Sequence, residues 1–156
     1  MFIGHLPAGY LVFRTVHRRS LLWAGCLGAV APDLDMLAFH FWHERAFHHH
    51  EYLTHRPLFW AAVLVLALCL KHMALPRVMA WVAVFACGAI LHCGLDTIAG
   101  SIGWLWPFSD AATTLVMIPP TYEHWVYSFL FHWTFLVEIA VTLTAVAVFI
   151  WDICKK

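Results

Sequence analysis

The sequence predicts an all-α membrane protein, a small helical bundle with three full membrane spans plus a short N-terminal helical hairpin. Of its 156 residues, 63% are hydrophobic and only 12% are charged, and the mean hydropathy is +0.77. A soluble domain is about half apolar and about a quarter charged. The composition therefore excludes an ordinary soluble globule, and its low polarity also excludes a disordered chain.

Two short apolar pieces open the chain, at 2–13 and 21–31, with a basic turn between them. At about 1.5 Å of rise per residue, neither covers much more than half of a bilayer, so we expect them to pair as a hairpin. Three longer apolar stretches follow, each with about the 17 to 25 residues that a crossing needs. They lie at 58–75, 78–99 and 133–151.

The segment 100–131 contains no Lys or Arg but several Trp and Tyr residues. Aromatic rings with a polar edge prefer the membrane–water interface, so we expect this segment to cover the outer end of the bundle. The sequence has no internal repeat and no low-complexity linker. We therefore predict a single domain over residues 1–156.

The distribution of charge predicts an orientation. Strict alternation of the five apolar segments brings seven basic residues to one end, which the positive-inside rule makes cytoplasmic. They are Arg14, Arg18, Arg19, Lys71, Arg77, Lys155 and Lys156. Ten of the twelve histidines and seven of the nine acidic residues fall at the other end. A site is therefore predicted at the outer, periplasmic face of a bacterial inner membrane, in a multi-pass protein.

Charge balance and cysteine content exclude other classes. Nine Lys and Arg residues balance nine Asp and Glu residues, so no basic excess indicates a nucleic-acid partner. The five cysteines are odd in number and form no Cys-x-x-Cys pair. Neither a disulfide framework nor a zinc ribbon is predicted.

The first motif with metal-binding chemistry is a pair of carboxylates, Asp33 and Asp35, directly after Pro32. In an extended or turn conformation alternate residues point the same way, so both carboxylates would face one cation, as in loops that bind hard metals through oxygen. The alternative is a solvated turn in which one Asp caps the next helix.

The second motif is a histidine-rich segment that leads into the first long apolar stretch. His50 and His55 are five residues apart, and Thr54 stands beside His55. Three consecutive histidines followed by a fourth favour metal binding over a merely polar loop. Which of His48, His49 and His50 is the ligand stays open from sequence.

The third motif is His92 and Asp96 at the outer end of the second long stretch. Residues four apart lie on one face of a helix, so this imidazole and this carboxylate can bind the same ion. Ionisable groups in a membrane helix cost free energy unless they are paired or functional. His5 is a weaker candidate ligand, and Glu138 in the last stretch needs a partner, for which His92 and Arg56 are candidates.

These motifs, taken in order, resemble a known family. Gly4-His5, the run from Gly28 to Asp35, His50-x4-His55 with Thr54, His92-x3-Asp96-Thr97-x2-Gly100 and Trp106-Pro-Phe108 are similar to the YdjM-like family, described as LexA-binding, inner-membrane-associated metal-dependent hydrolases. The resemblance implies a membrane-bound hydrolase that acts like a phospholipase. The chain has Glu51 where Arg is common in the family and Arg56 where Ser is common, which affects substrate contacts more than metal binding.

The predicted ligand set is His5, Asp33, Asp35, His50, His55, His92 and Asp96, holding one or two divalent ions. Mixed His and Asp ligands favour Zn²⁺, with Mn²⁺ as the other choice. We expect hydrolysis of a phospholipid or lipid-linked phosphoester by a metal-activated water. Glu51 or Glu44 is the candidate base, and Arg56 is a better candidate than Arg45 for holding a phosphate. The alternative is a metal carrier, sensor or assembly factor without turnover, because it would need the same ligands.

Overall fold

A computed structural model describes residues 3–41, 49–73 and 75–155, without the side chains of His40 and His49. This part of the chain folds into seven α-helices and three short 3-10 segments, with no β-strand. The helices are α1 (His5–Phe13), α2 (Arg19–Gly28), α3 (Asp35–Phe41), α4 (Pro57–Leu70), α5 (Pro76–Asp96), α6 (Trp125–Leu130) and α7 (Trp133–Cys154). The 3-10 segments are Ala31–Leu34, His49–Glu51 and Leu53–His55. The all-helical class predicted from sequence is confirmed.

The number of spans differs from the prediction of three plus a hairpin. Helices α5 and α7, of 21 and 22 residues, are long and apolar enough to cross a membrane. A third span exists only if α2 and the segment Ala31–Phe39, which meet at a bend of 52°, count as one broken crossing.

Helix α4 is where the prediction of a full span at 58–75 is wrong. It has 14 residues and ends at Leu70, because Lys71 and His72 begin a turn. At about 1.5 Å per residue it is about 21 Å long, short of the roughly 30 Å of a bilayer core.

The helices alternate so that one end of the bundle collects the predicted site. Helices α1, α4 and α7 begin at this end, while α2 and α5 finish there, as the contacts of Glu138 with Gly4 and of His92 with Ala29 show. At the other end, Asp152 binds Arg14 and Tyr10, so α1 and α7 run side by side in the same direction. We call the first end the site end.

Glycines allow α2 and α5 to approach closely. A Cβ atom at Gly28 would overlap the carbonyl oxygen of Phe85, and one at Gly88 would overlap that of Gly25. Small residues at helix contacts are typical of membrane bundles, where backbones pack against each other. This packing brings Ala29, directly after α2, to His92 near the end of α5.

The segment predicted to cover one end of the bundle lies at the site end. Its backbone pairs with the end of α5 through bonds from Leu115 to Thr97 (2.8 Å) and from Val116 to Ile98 (2.9 Å). Ile102 is fully buried and forms an isolated β-bridge with Thr113. The segment therefore packs against the site end of the bundle.

Candidate metal centre

Four side chains meet at the site end in a group that we call the donor cluster: Asp33, His55, His92 and Asp96. One ligand atom from each lies within 4.8 Å of every other. The two imidazoles are fully buried and the Asp96 side chain is 2% exposed, whereas the Asp33 side chain is 34% exposed. The cluster is thus a buried group with one member at its open side.

Local structure explains how each donor reaches the cluster. His92 and Asp96 lie one turn apart at the end of α5, as the i, i+4 spacing predicted. Asp33 lies in the 3-10 segment at the bend after α2, where Pro32 is at the start of the segment. His55 ends the 3-10 segment before α4, whose first residue is Pro57.

Five of the six distances between donor atoms are close to the edges of a small tetrahedron. Nε2 of His92 lies 3.0 Å from Oδ2 of Asp96 and 3.5 Å from Oδ1 of Asp33. Nε2 of His55 lies 3.2 Å from Nε2 of His92, 3.5 Å from Oδ2 of Asp96 and 3.7 Å from Oδ1 of Asp33. A tetrahedral ion with bonds of about 2.0–2.1 Å has ligand–ligand edges of about 3.3–3.4 Å. These five edges suit one zinc-sized ion, and the sixth, between Asp33 and Asp96, is no longer than 4.8 Å.

Hydrogen bonds at the far side of each imidazole orient the two Nε2 atoms. Nδ1 of His92 donates to the carbonyl oxygen of Ala29 at 2.9 Å. Nδ1 of His55 donates to Oδ2 of Asp35 at 2.6 Å, and the same oxygen accepts a bond from Thr54 Oγ1 at 2.6 Å. When Nδ1 of an imidazole donates a hydrogen bond, the proton stays on Nδ1, and Nε2 presents its lone pair to a metal.

The pKa of His55 indicates that its surroundings favour positive charge. Burial lowers the pKa of His55, but hydrogen bonds with Asp33, Asp35 and Asp96 outweigh it and raise that pKa from 6.5 to about 10. Three carboxylates around one imidazole stabilise a proton in the same place where a cation would be stabilised. The cluster is therefore built to hold positive charge.

Two further predicted ligands touch the cluster from outside. His5 contacts the other oxygens of the two acids, with Nδ1 at 3.3 Å from Oδ2 of Asp33 and Nε2 at 3.1 Å from Oδ1 of Asp96. His50 reaches Asp96, with its Nε2 at 3.6 Å from Oδ2. The structure thus brings His50 to the site, whereas His48 lies outside the described residues and the side chain of His49 is not described.

The structure places Asp35 behind His55 instead of beside Asp33. Residues 31–34 form a 3-10 turn and Asp35 begins α3, so the segment is not extended. Residues two apart in such a turn point away from each other. Asp33 therefore faces the cluster while Asp35 holds the ring of His55.

The candidate base and phosphate ligands lie beside a small cavity of about 300 Å³, which Glu51 and Arg56 line together with His50. Nη2 of Arg56 donates to the backbone oxygen of Glu51 at 3.1 Å. The Arg56 guanidinium carbon lies 5.4 Å from the ring centre of Trp106, within reach of a cation–π interaction. The other two candidates, Glu44 and Arg45, lie outside the described residues.

A larger cavity of about 700 Å³ is also lined by His50. Asp33 and Asp96 form part of its wall. Much of the remaining wall is apolar or aromatic and includes Met36, Ile118, Pro119, Pro120, Trp125 and Phe129. The donor cluster therefore lies at the edge of a space suited to an apolar molecule.

Sequence reasoning gave no role to two groups at this end and proposed other partners for a third. The Ala29 carbonyl that holds His92 has no signal in a side-chain pattern. Glu123 lines the large cavity. In the sequence, its position in the segment 100–131 was the one indication that it lies at this end. Glu138 accepts hydrogen bonds from the backbone at Ile3 and Gly4, which were not among its predicted partners.

Comparison with known proteins agrees with these features. The family model of the YdjM inner membrane protein matches residues 1–156, the whole chain. This chain belongs to the YdjM inner membrane protein family. No curated protein and no solved structure matches it. Membership makes it an inner membrane protein, in keeping with its two or three apolar spans.

Proposed function

We propose that this YdjM-family chain is a membrane-embedded, metal-dependent hydrolase of a phospholipid or lipid-linked phosphoester. The observation that carries the proposal is the close spacing of the four donors in the cluster, of which Asp33 and Asp96 also form part of the wall of a largely apolar cavity. A buried His and Asp set suits a cation, and a largely apolar cavity beside it suits an amphiphile.

The ion that suits this donor set best is a single Zn²⁺, with Mn²⁺ as the other choice. When bound, it would lower the pKa of a water from about 15.7 toward about 7 and polarise a phosphoryl or acyl oxygen. Asp33 is the most exposed of the four ligands, so substrate would approach on its side. The described residues contain one such group, which supports one ion over two.

The two cavities support a division of the substrate between them. The aromatic and apolar wall of the large cavity would hold an acyl or prenyl chain. Moving the apolar surface of such a chain out of contact with water and into this cavity is favourable. Arg56 in the small cavity would hold a phosphate oxygen through charge-assisted hydrogen bonds. His50 lines both cavities, so the phosphoester would lie across it, next to the donor cluster.

The general base is proposed to be a glutamate. Glu51 lies in the wall of the small cavity and Glu123 in the wall of the large one. A base has to come within about 2.6–3.2 Å of the attacking water or act through another water. Comparison of Glu51→Gln with Glu123→Gln would assign the role to the variant that loses kcat while retaining metal.

We place the site at the periplasmic face. Six basic residues lie at the end opposite the donor cluster. They are in or beside the links between α1 and α2 and between α4 and α5, or at the end of α7. The positive-inside rule makes that end cytoplasmic. The basic residues are Arg14, Arg18, Arg19, Lys71, Arg77 and Lys155. The substrate would then come from the outer leaflet of the inner membrane.

A second candidate function is a metal carrier, sensor or assembly factor. One observation favours it: the donor cluster offers four protein ligands, the number typical of closed structural zinc sites, whereas catalytic zinc has three protein ligands and an open position. Turnover separates the two functions, because both require the same ligands.

The test uses zinc-loaded protein in mixed micelles with phosphatidylethanolamine, phosphatidylglycerol or an isoprenyl phosphate. Release of water-soluble phosphate or headgroup should depend on zinc and should be lost in Asp96→Asn. Asp152→Asn, an acid on α7 at the opposite end, is the matched control and should retain the rate. Equal rates in the two variants would contradict the proposal, and a zinc-loaded protein without turnover on any of these lipids would favour the carrier or sensor.

A further inference from the structure

A buried carboxylate outside the donor cluster fixes the start of the chain's first helix. Glu138 lies in the span α7 and is 1% exposed. Its Oε2 accepts the backbone N–H of Ile3 at 2.7 Å and that of Gly4 at 3.2 Å. An acid in a membrane helix is costly unless it has a specific partner, and here its partners are the N–H groups at the start of α1.

The residue that follows these two N–H groups is His5. Its side chain is buried, and its two ring nitrogens lie 3.3 Å and 3.1 Å from Asp33 and Asp96. Its ring also stacks on His92, with centroids 3.8 Å apart and an interplanar angle of 19°. His5 therefore touches three of the four members of the donor cluster.

A helix of nine residues needs external contacts to hold its first turn, because its first N–H groups have no partner within the helix. Glu138 accepts the N–H of the N-cap residue Gly4 and that of Ile3 just before it. A carboxylate at that position also interacts favourably with the positive end of the helix dipole. Without Glu138, the first turn of α1 would lose its fixed position and His5 would no longer be held against the two aspartates.

We infer that Glu138 is a positioning residue for the metal centre, acting through the start of α1 and His5 on the orientation of Asp33 and Asp96. The inference rests on the proposed metal binding. It makes the last span part of the site, although α7 contributes no member of the donor cluster.

The chain offers a matched control for this role. Asp152, also on α7, binds the far end of the same helix: it accepts from Arg14 Nε at 2.9 Å and Nη2 at 2.8 Å, and from the Tyr10 hydroxyl at 2.7 Å. Loss of either acid loosens α1 from α7. Only loss of Glu138 loosens the end that carries His5.

The experiment measures Zn²⁺ affinity by chelator competition, the visible spectrum of bound Co²⁺, and thermal unfolding without metal. The variants are Glu138→Ala, Glu138→Gln, Asp152→Ala, His5→Ala and the double variant Glu138→Ala/His5→Ala. We expect Glu138→Ala to weaken Zn²⁺ binding about tenfold or more, the range for residues that orient metal ligands, and to alter the Co²⁺ spectrum. Glu138→Gln, which keeps an acceptor oxygen, should restore most of the affinity.

Asp152→Ala should lower thermal stability while leaving Zn²⁺ affinity and the Co²⁺ spectrum unchanged. In the His5→Ala background, Glu138→Ala should cause no further loss of affinity, because the two residues act in series. Should Glu138→Ala give no folded protein, Glu138→Asp, whose carboxylate is one methylene shorter, replaces it in the cycle.

Equal affinities in Glu138→Ala and wild type would overturn the inference, and so would equal losses in Glu138→Ala and Asp152→Ala or additive losses in the double variant. Each of these results leaves the proposed function intact, since wild type would still bind the ion. A wild type that binds neither Zn²⁺ nor Co²⁺ would overturn both.

Discussion

Nδ1 of His55 lies 2.6 Å from Oδ2 of Asp35, on the side of the ring opposite the donor cluster. This contact fixes the ring so that Nε2 faces His92, Asp33 and Asp96. It also makes the imidazole a stronger base and hence a better ligand.

The first prediction concerns this hydrogen bond. Asp35→Ala should weaken Zn²⁺ binding by about 10- to 100-fold without removing the ion entirely, because Asp35 orients a ligand and does not join the cluster. Chelator competition measures the affinity. Asp33→Ala should be more damaging, and a ranking in which Asp35→Ala is the worse variant would indicate that Asp35 is itself a ligand.

The second prediction concerns protons released when the ion binds. Since the pKa of His55 is raised to about 10, His55 is protonated near neutral pH in metal-free protein, and an ion must displace that proton. Zn²⁺ affinity should therefore rise with pH, by about tenfold per unit for one displaced proton. Calorimetry in two buffers of different ionisation enthalpy counts the protons. His72→Gln, exposed at the other end, should behave as wild type, and a binding enthalpy that is the same in both buffers would contradict a protonated His55.

The third prediction concerns the close contact of α2 with α5. Gly28→Ala should destabilise the detergent-solubilised protein by about 1–3 kcal/mol, because the new methyl group overlaps the Phe85 carbonyl oxygen. The displaced α2 would also move the Ala29 carbonyl away from His92. Gly94→Ala is the control, since a Cβ atom there meets nothing within 4 Å. Thermal unfolding of both variants tests the contact, and equal stabilities would contradict it.

The fourth prediction concerns Arg56 in the small cavity. Arg56→Lys keeps the charge but loses the planar, bidentate geometry, so kcat/KM for a lipid phosphoester should fall about tenfold or more. Zinc content should be unchanged, because Arg56 is not a ligand. A substrate with an uncharged ester in place of the phosphate should not distinguish the variant from wild type. If Arg56→Lys lowers kcat/KM for the uncharged substrate as much as for the phosphoester, Arg56 has a role in folding and not in phosphate binding.

Much of the donor cluster could be predicted from sequence because its strongest part is local. His92 and Asp96 are one helical turn apart, and any helix through them places both on one face. The convergence of His55 and Asp33 on the same end followed from alternating spans and charge bias, which are also visible in sequence.

The roles within the cluster depend on details that the sequence does not encode locally. The 3-10 turn at the bend, and not the spacing of Asp33 and Asp35, decides which of the two faces the cluster. The length of α4 depends on where the helix ends, which is at Leu70, just before the turn that contains Lys71 and His72. The contact of Glu138 with Ile3 joins residues 135 positions apart, so only the folded bundle reveals it.

The measurement that tests metal binding most directly is the metal content of detergent-purified protein by mass spectrometry, with His92→Ala and Asp96→Ala beside wild type and Asp152→Asn. The donor cluster predicts close to one zinc or manganese ion per wild-type chain, retained in Asp152→Asn and lost in both cluster variants. A wild type that carries no metal and takes none up on addition would contradict the metal centre, and the buried His and Asp residues would then be a polar network that holds the bundle together.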